Sequence, residues 1–369
     1  MKILMPATHY YPVIGGIETW TRRIAEGLAQ KAEVFVVTGK VWGRPDQETV
    51  EKVKIYRRSL FILKNFSRSP LFYSLTLLPY VFLKSLSLIK KERIDLLHCQ
   101  GFLSGILGYL LFKITKAPFI VTVQRMEKRG NFLKEFIYRQ AAVCIGVSSP
   151  VADYFKAIGC KHVEIIPNGV DVGNFTGLDR QESRAALGIK NEFVIITVAR
   201  LEKVKGIEYL ILSLLGLKSA IADYKLLIIG DGGERKALEN LVKKLGLTES
   251  VKFLGQIVNE RVAEYLIAGD CFVLPSIREG FGIAILEAQA AGIPVIGAKV
   301  GGIAEVLAQG QTGLLVPPGD EQSICDALVK IYANPDLALK MVESARENLK
   351  NYDWQKIADK VYQIYQKIV

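Results

Sequence analysis

Histidine and cysteine are scarce, three and five in 369 residues. His9, His98 and His162 stand far apart, so no histidine-based metal cluster is expected. Cys99, Cys144, Cys160, Cys271 and Cys325 are odd in number, scattered and mostly set in apolar sequence. That pattern excludes a disulfide framework and fits a reducing, cytoplasmic compartment. Met1-Lys2-Ile3-Leu4-Met5 runs straight into a strand pattern and lacks the succession of basic, apolar and small residues that marks a secretory leader. There is no low-complexity tract; half of the residues are hydrophobic and 32 are Gly, which implies a packed globular chain. A long uninterrupted apolar run is also missing. The richest stretch, 70–89, is broken by Pro79 and Lys84 and diluted by Ser74, Thr76, Ser85 and Ser87, so a membrane span is not expected.

Acidic residues are in short supply in the front half only. Residues 1–175 carry 25 Lys and Arg against 13 Asp and Glu, whereas residues 176–369 carry 23 against 24, so the whole net charge of +11 belongs to the front. The excess gathers at Lys52, Lys54, Arg57, Arg58, Lys64 and Arg68, at Lys90, Lys91 and Arg93, and at Arg125, Lys128, Arg129 and Lys134. With 70–89 between them, two readings follow: an interfacial helix resting on anionic lipid headgroups, or a core helix with a solvated basic rim.

A chain of this length is expected to form two domains. Short apolar strands at 2–5, 34–38, 95–98, 119–123 and 142–147 alternate with helical sequence, beginning with a Gly15-Gly16 loop and an amphipathic helix over 18–31. After the turn Ile166-Pro167-Asn168-Gly169-Val170-Asp171 the pattern restarts. Strands at 193–198, 225–229, 251–254, 271–274, 294–296 and 313–316 follow, with helices from about 207 and over 234–245. The fold class is α/β: two Rossmann-like, doubly wound parallel-sheet domains, 1–171 and 172–351, facing across a cleft.

The second domain carries the chemistry. Arg200 and Lys205 lie in the loop beyond strand 193–198, and Gly280-Phe281-Gly282 opens a helix over 283–291. Two cations and free helix N–H groups at the carboxyl end of a parallel sheet suit a diphosphate. Glu279 lies in the preceding turn, and Glu287 sits about two turns into the helix, where an unpaired carboxylate on an apolar face is costly. Taken singly, Arg200 and Lys205 read equally well as solvated loop charges, Gly230-Asp231-Gly232 as a tight turn, and Gly301-Gly302 as the start of a helix.

In order and spacing these segments resemble glycosyltransferase family 4, of GT-B fold, over nearly the whole chain. The resemblance includes Gly15-Gly16-Ile17-Glu18, the 166–171 turn, Arg200 with Lys205-Gly206, Gly230-Asp231-Gly232, and Glu279-Gly280-Phe281-Gly282 through Glu287. Gly301-Gly302 with Glu305, and Thr312-Gly313-Leu314, complete it. It implies a retaining, metal-independent transfer of a hexosyl group from a nucleotide diphosphate sugar, which is substrate rather than cofactor. Arg200 and Lys205 would neutralise the diphosphate, with hydrogen bonds from Gly16 and the amides of Gly280, Phe281, Gly282 and Ile283. Glu287 would hold the ribose and Glu279 the donor sugar, with Gly15 and Gly230 lining the donor site. The helix at 352–369 would return to the first domain.

One position departs from the family pattern: Gln124 stands where many members have a His pointing toward donor sugar and acceptor. A Gln hydrogen-bonds but does not exchange a proton near neutral pH. His9, His98 and Arg125 are the acceptor-side candidates, with His98 equally readable as a satisfied strand-end residue. The basic front half suits a glycan or lipid-linked acceptor of cell-envelope polysaccharide or glycolipid synthesis, and a peripheral position on an anionic membrane surface. Alternatives are a sugar-nucleotide epimerase of this architecture and a basic nucleic-acid-binding protein; nucleic acid is disfavoured because no recognition module is present and Glu279 and Glu287 repel phosphate. No feature of the sequence specifies an oligomeric state.

Overall fold

The computed structural model describes residues 1–13, 15–58 and 70–369, so Lys64 and Arg68 lie outside the described residues. The chain divides into two units, residues 1–168 with 354–369, and residues 169–353. The boundaries read from sequence were 171/172 and 351/352.

Unit 1 begins with β1 (Lys2–Pro6), α1 (Gly16–Leu28), β2 (Glu33–Thr38), β3 (Gln47–Val50), β4 (Val53–Arg57) and α2 (Pro70–Glu92). It continues with β5 (Leu96–Gln100), α3 (Gly101–Thr115), β6 (Phe119–Val123), α4 (Phe132–Arg139), β7 (Val143–Gly146), α5 (Ser149–Ala157) and β8 (Val163–Ile165). The eight strands lie in the order β3-β4-β2-β1-β5-β6-β7-β8, all parallel except β3. The order reverses between β1 and β5, and in open sheets of this class ligands bind beyond the carboxyl ends of the strands at that reversal.

The strands are continuous Val, Ile and Leu runs because both sheet faces are covered. One face packs Trp20, Ile24 and Leu28 of α1 against Ile3, Met5, Val34, Val36 and Ile120. The described part of α2 is a core helix: Leu77, Val81, Ser85, Leu88 and Ile89 are buried at helical spacing, while Pro79 and Leu83 face outward. Among the described residues no helix is long and apolar enough to cross a membrane.

The antiparallel β3–β4 pair was not expected from sequence. Its turn residues Glu51 and Lys52 have φ of 48° and 66°, a region that usually calls for Gly or Asn. The pair also alters the reading of the basic cluster. Lys54 bonds Glu33 at 2.9 Å and Lys52 bonds Gln30 at 2.8 Å. Arg57 is completely buried, pairing with Glu48 and donating to the Tyr11 carbonyl at 2.7 Å. Much of the positive charge at 52–57 is therefore engaged within the unit.

Unit 2 comprises α6 (Arg180–Ala186), β9 (Phe193–Val198), α7 (Ile207–Leu217), β10 (Tyr224–Ile229), α8 (Arg235–Lys244), β11 (Val251–Gly255) and α9 (Asn259–Ala268). Then come β12 (Cys271–Leu274), α10 (Ile283–Ala290), β13 (Val295–Ala298), α11 (Ile303–Val306), β14 (Leu314–Val316), α12 (Glu321–Ala333) and α13 (Pro335–Leu349). The sheet order is β11-β10-β9-β12-β13-β14, all parallel, and reverses between β9 and β12. The last helix, α14 (Trp354–Gln366), belongs to unit 1, where Ile357, Val361, Ile364 and Tyr365 join the core beside α1.

Candidate active site

The reversal of strand order in unit 2 places the loops after β9 and β12 side by side, and these loops carry Arg200, Lys205 and Glu279. Lys205 ends a short 3-10 turn and reaches across to Glu279, Nζ to Oε2 at 2.6 Å, with side chains only 19% and 14% exposed. Glu279 Oε2 also accepts from Ser276 Oγ at 3.3 Å, and Oε1 from the Gly280 amide at 3.1 Å. Arg200 differs in standing: its side chain is 57% exposed and pairs with Glu202 at 3.0 Å. The two cations read alike from sequence, but only Lys205 is held in a low-solvent setting.

Main-chain contacts lock these loops together. The amides of Ile277 and Arg278 donate to the Val204 carbonyl at 2.9 and 3.3 Å. Gly301, after β13, has φ of 50°, and a Cβ there would overlap the Glu279 carbonyl oxygen. Gly230, after β10, has φ of 130° and is pressed against the Ala199 carbonyl, beside Arg200, in the same way. Side chains at either position would push apart the loops that hold Arg200, Lys205 and Glu279. From sequence Gly230 read as a tight turn and Gly301 as a helix start; their close-approach role depends on loops distant in the chain.

Gly282, at φ 93°, turns the chain into α10, with Ile283 its first residue. Phe281 is buried, its ring 6.1 Å from that of Tyr352. Within α10, Ile285, Leu286, Ala288 and Gln289 are buried. Glu287 is partly buried between them, and burial alone pushes its carboxyl up to about 7. Asp231, following Gly230, pairs with Arg235 at 3.2 Å. The carboxyl edge of this sheet thus combines a helix start, a hydrogen-bonded Lys–Glu pair, an exposed Arg and an unpaired carboxyl. Such a set can receive an anion and several hydroxyls.

In unit 1, Gly15 precedes α1 and Gly16 is its first residue; the Thr19 amide donates to the Gly15 carbonyl at 2.8 Å. His9 is exposed in the loop between β1 and α1, and Arg125 is exposed just after β6. Gln124 lies between β6 and Arg125, and its Nε2 is buried without a hydrogen-bond partner. Gln100, at the end of the neighbouring β5, has both side-chain polar atoms buried and unpartnered. Gln100 was not singled out from sequence, where a strand-terminal Gln carries no signal of its surroundings.

His98 requires a correction. It is a core residue, not an acceptor-facing one: it is 0% exposed, Nε2 meets Thr122 Oγ1 at 2.7 Å, and Nδ1 meets the Tyr365 hydroxyl. The Trp20 and Tyr365 rings meet it edge-on with centroids at 5.4 and 5.6 Å. Burial lowers its pKa to about 3, keeping the ring neutral. Its second reading, a satisfied strand-end histidine, describes it. Among the described residues no group of three or more His, Cys, Asp or Glu could hold a metal ion.

Two Rossmann-like units of this topology, with this set of groups on the second sheet, define a glycosyltransferase of the GT-B fold. Profiles described as Glycosyltransferase Family 4 and Glycosyl transferases group 1 match residues 14–174 and 179–348, and the chain belongs to glycosyltransferase family 4. An uncharacterized glycosyltransferase of Methanocaldococcus jannaschii is 27% identical, over 99% of this chain and 98% of its own. Phosphatidyl-myo-inositol mannosyltransferase of Mycobacterium leprae is 27% identical over 100% and 97%. N-acetyl-alpha-D-glucosaminyl L-malate synthase of Bacillus anthracis is 27% identical over 97% and 96%. Among solved structures, sucrose-phosphate synthase from Thermosynechococcus elongatus superposes with a TM-score of 0.88 at 26% identity, over 100% of this chain and 98% of that one. HepE of Anabaena, solved in complex with UDP-glucose, shares the fold with a TM-score of 0.80 at 22% identity over the full length of both chains.

Proposed function

We propose that this enzyme moves a hexosyl group from a nucleoside diphosphate sugar to an acceptor hydroxyl, with retention of anomeric configuration and without a metal ion. The observation that carries the reading is the Lys205–Glu279 pair, set beside the start of α10 on the carboxyl edge of the unit 2 sheet. In this reading the diphosphate takes hydrogen bonds from the amides of Phe281 to Ile283, with that of Gly280 engaged by Glu279, and charge from Lys205 and Arg200. The negative charge that grows on the leaving diphosphate is met by Lys205, oriented by Glu279, and by the more exposed Arg200, an electrostatic contribution that is usually the largest single one in catalysis. Glu279 accepts from hydroxyls of the donor sugar, Glu287 from the ribose diol, and Gly230 lines the donor.

Gln124 does not serve as a base. The acceptor proton therefore passes to the leaving phosphate oxygen while the anomeric carbon–phosphate oxygen bond breaks and the new carbon–oxygen bond forms on the same face. Arg125 and His9 belong to the acceptor side. The basic balance of residues 1–175 supports an anionic acceptor, glycan or lipid-linked, in cell-envelope polysaccharide or glycolipid synthesis on the cytoplasmic face of a membrane. Exposed Leu110, Ile114, Phe132 and Leu133, near Lys113, Lys116, Lys128 and Arg129 in sequence, support peripheral contact with anionic lipid.

The test is transfer by purified protein in a chelator. UDP-glucose, GDP-mannose and UDP-N-acetylglucosamine serve as donors; inositol 3-phosphate, L-malate and phosphatidylinositol vesicles serve as acceptors. The expected product carries the mass of one added glycosyl residue, hexosyl from UDP-glucose or GDP-mannose and N-acetylhexosaminyl from UDP-N-acetylglucosamine, with the donor's anomeric configuration by proton NMR. An inverted product, or transfer that requires added divalent metal, would contradict the reading.

A further inference from the structure

One edge of the unit 1 sheet holds two sulfur atoms in contact. Cys144 of β7 and Cys160, in the turn between α5 and β8, are 16 positions apart in sequence, with their Sγ atoms 3.5 Å from each other. The backbone fixes both ends. Gly159, at φ 85°, turns the chain out of α5, and the Cys160 amide donates to the Phe155 carbonyl at 3.0 Å. Just beyond, the His162 carbonyl accepts from the Cys144 amide at 2.9 Å, and Val163 pairs with Cys144 as β8 joins the sheet. Main-chain bonds thus hold the turn that carries Cys160 beside Cys144. A disulfide of about 2.05 Å requires the sulfurs to close by about 1.5 Å, which rotation about the Cα–Cβ bonds can supply.

The two thiols are not equivalent. Cys144 is buried, and its single S–H has two acceptors in range, Cys160 Sγ and the Tyr138 carbonyl at 3.3 Å. Cys160 is partly exposed, between exposed Gly159 and Lys161. The S–H donated by Cys144 lowers the Cys160 pKa, against the effect of burial and with help from the charge of Arg139, whose side chain lies against Gly159. An accessible sulfur of thiolate character backed by a second, protected sulfur lets oxidation stop at a disulfide. Cys99, Cys271 and Cys325 are buried, and burial raises the pKa of each.

We propose that Cys144 and Cys160 form a redox modification site, a dithiol that a hydroperoxide converts to a disulfide strapping the α5–β8 turn to β7. The Cys160 thiolate attacks a hydroperoxide oxygen; the O–O bond breaks, and the departing oxygen takes a proton and leaves as water or an alcohol. The Cys144 sulfur then attacks the sulfur of the resulting Cys160 sulfenic acid. The S–O bond breaks, and the hydroxide leaves as water with the Cys144 proton. Two thiols have lost two electrons to the hydroperoxide, and a small dithiol restores them by exchange. Neither residue belongs to the candidate active site.

Hydrogen peroxide treatment of the full chain, followed by iodoacetamide labelling in denaturant, tests it. Reduced protein should take five labels and oxidised protein three, five less the bonded two. The Cys144–Cys160 linked peptide should be about 2 Da lighter than the two thiol peptides together, and dithiothreitol should restore all of the labels. The link should raise the melting temperature by about 6–12 °C, as for a bond closing a loop of this length. In Cys144→Ala, dimedone should trap a sulfenic acid at Cys160; in Cys160→Ser, Cys144 should take no dimedone and remain open to iodoacetamide. Full labelling after peroxide, a link joining any other pair, or Cys160 sulfinic acid with Cys144 still free would overturn the site. A dimedone adduct on Cys144 in Cys160→Ser would overturn the assignment of the attacking sulfur. An unchanged or lowered melting temperature in the linked protein would overturn the strap.

Discussion

Glu287→Gln is expected to stabilise the ligand-free protein at alkaline pH while weakening its hold on the donor. The carboxyl has no partner, and burial moves its pKa from 4.5 to about 7. Between those values the folded protein retains a proton that the unfolded chain has released, so stability falls as pH rises through that window. Below about 4.5 both states are protonated and Glu287 costs nothing; above about 7 both are ionised and the cost is complete. A displacement of about 2.5 in pKa corresponds to about 3.4 kcal/mol. Partial exposure of the side chain lets solvent relieve some of this, leaving about 1–3 kcal/mol. For a unit of this size each kcal/mol moves the melting temperature by about 2–4 °C. Melting curves of both proteins should converge near pH 4.5 and differ by about 2–12 °C at pH 8, with Gln the more stable. Titration with the cognate nucleotide sugar at pH 8 should show affinity reduced about 10- to 100-fold, as for a lost hydrogen bond to a charged group. A Gln variant that is no more stable at pH 8, or whose advantage does not depend on pH, would refute the reasoning.

Lys205→Ala removes the cation proposed to face the diphosphate and leaves Glu279 without its ion-pair partner, so kcat should fall about 10²- to 10³-fold in steady-state transfer assays. Glu279→Gln, which keeps the shape of the site, should leave nucleoside diphosphate affinity within a few-fold of normal while lowering transfer. His98 is held neutral with its pKa near 3, below the unfolded value of 6.5, so its contribution is intact above about 6.5 and lost progressively as pH falls toward 3. Acid unfolding followed by tryptophan fluorescence should accordingly be less steep below pH 6 in His98→Gln than in the unaltered protein. Gly301→Ala places a Cβ against the Glu279 carbonyl at positive φ, and should cost about 2 kcal/mol or more in denaturant unfolding as well as impair transfer.

The parallel strands were legible because each is a short apolar run covered on both faces; 119–123, 193–198 and 271–274 match β6, β9 and β12 residue for residue. The β3–β4 pair was hidden for two reasons. Its turn uses Glu51 and Lys52 where Gly or Asn would announce it, and Lys54 and Arg57 read as surface charge until Glu33 and Glu48 are seen opposite them. In the site, residue identities were readable but partnerships were not. Lys205 and Glu279 are 74 positions apart in sequence, and they meet only because β9 and β12 are neighbours at the reversal of strand order. His98 was ambiguous until α14 brought Tyr365, 267 positions away, onto its ring nitrogen. Gln100 carried no sequence signal, because its distinguishing feature is the absence of a protein partner.

Thermal stabilisation by UDP, GDP and ADP and their sugar conjugates, in a chelator and in parallel with Glu287→Ala, tests the donor assignment most directly. At about 100 times its dissociation constant a cognate ligand adds about 2.7 kcal/mol, or about 5–10 °C at the sensitivity given above. The account predicts such a shift for one nucleotide family in the unaltered protein and its loss in Glu287→Ala. No shift with any nucleotide, or an equal shift in the variant, would contradict it.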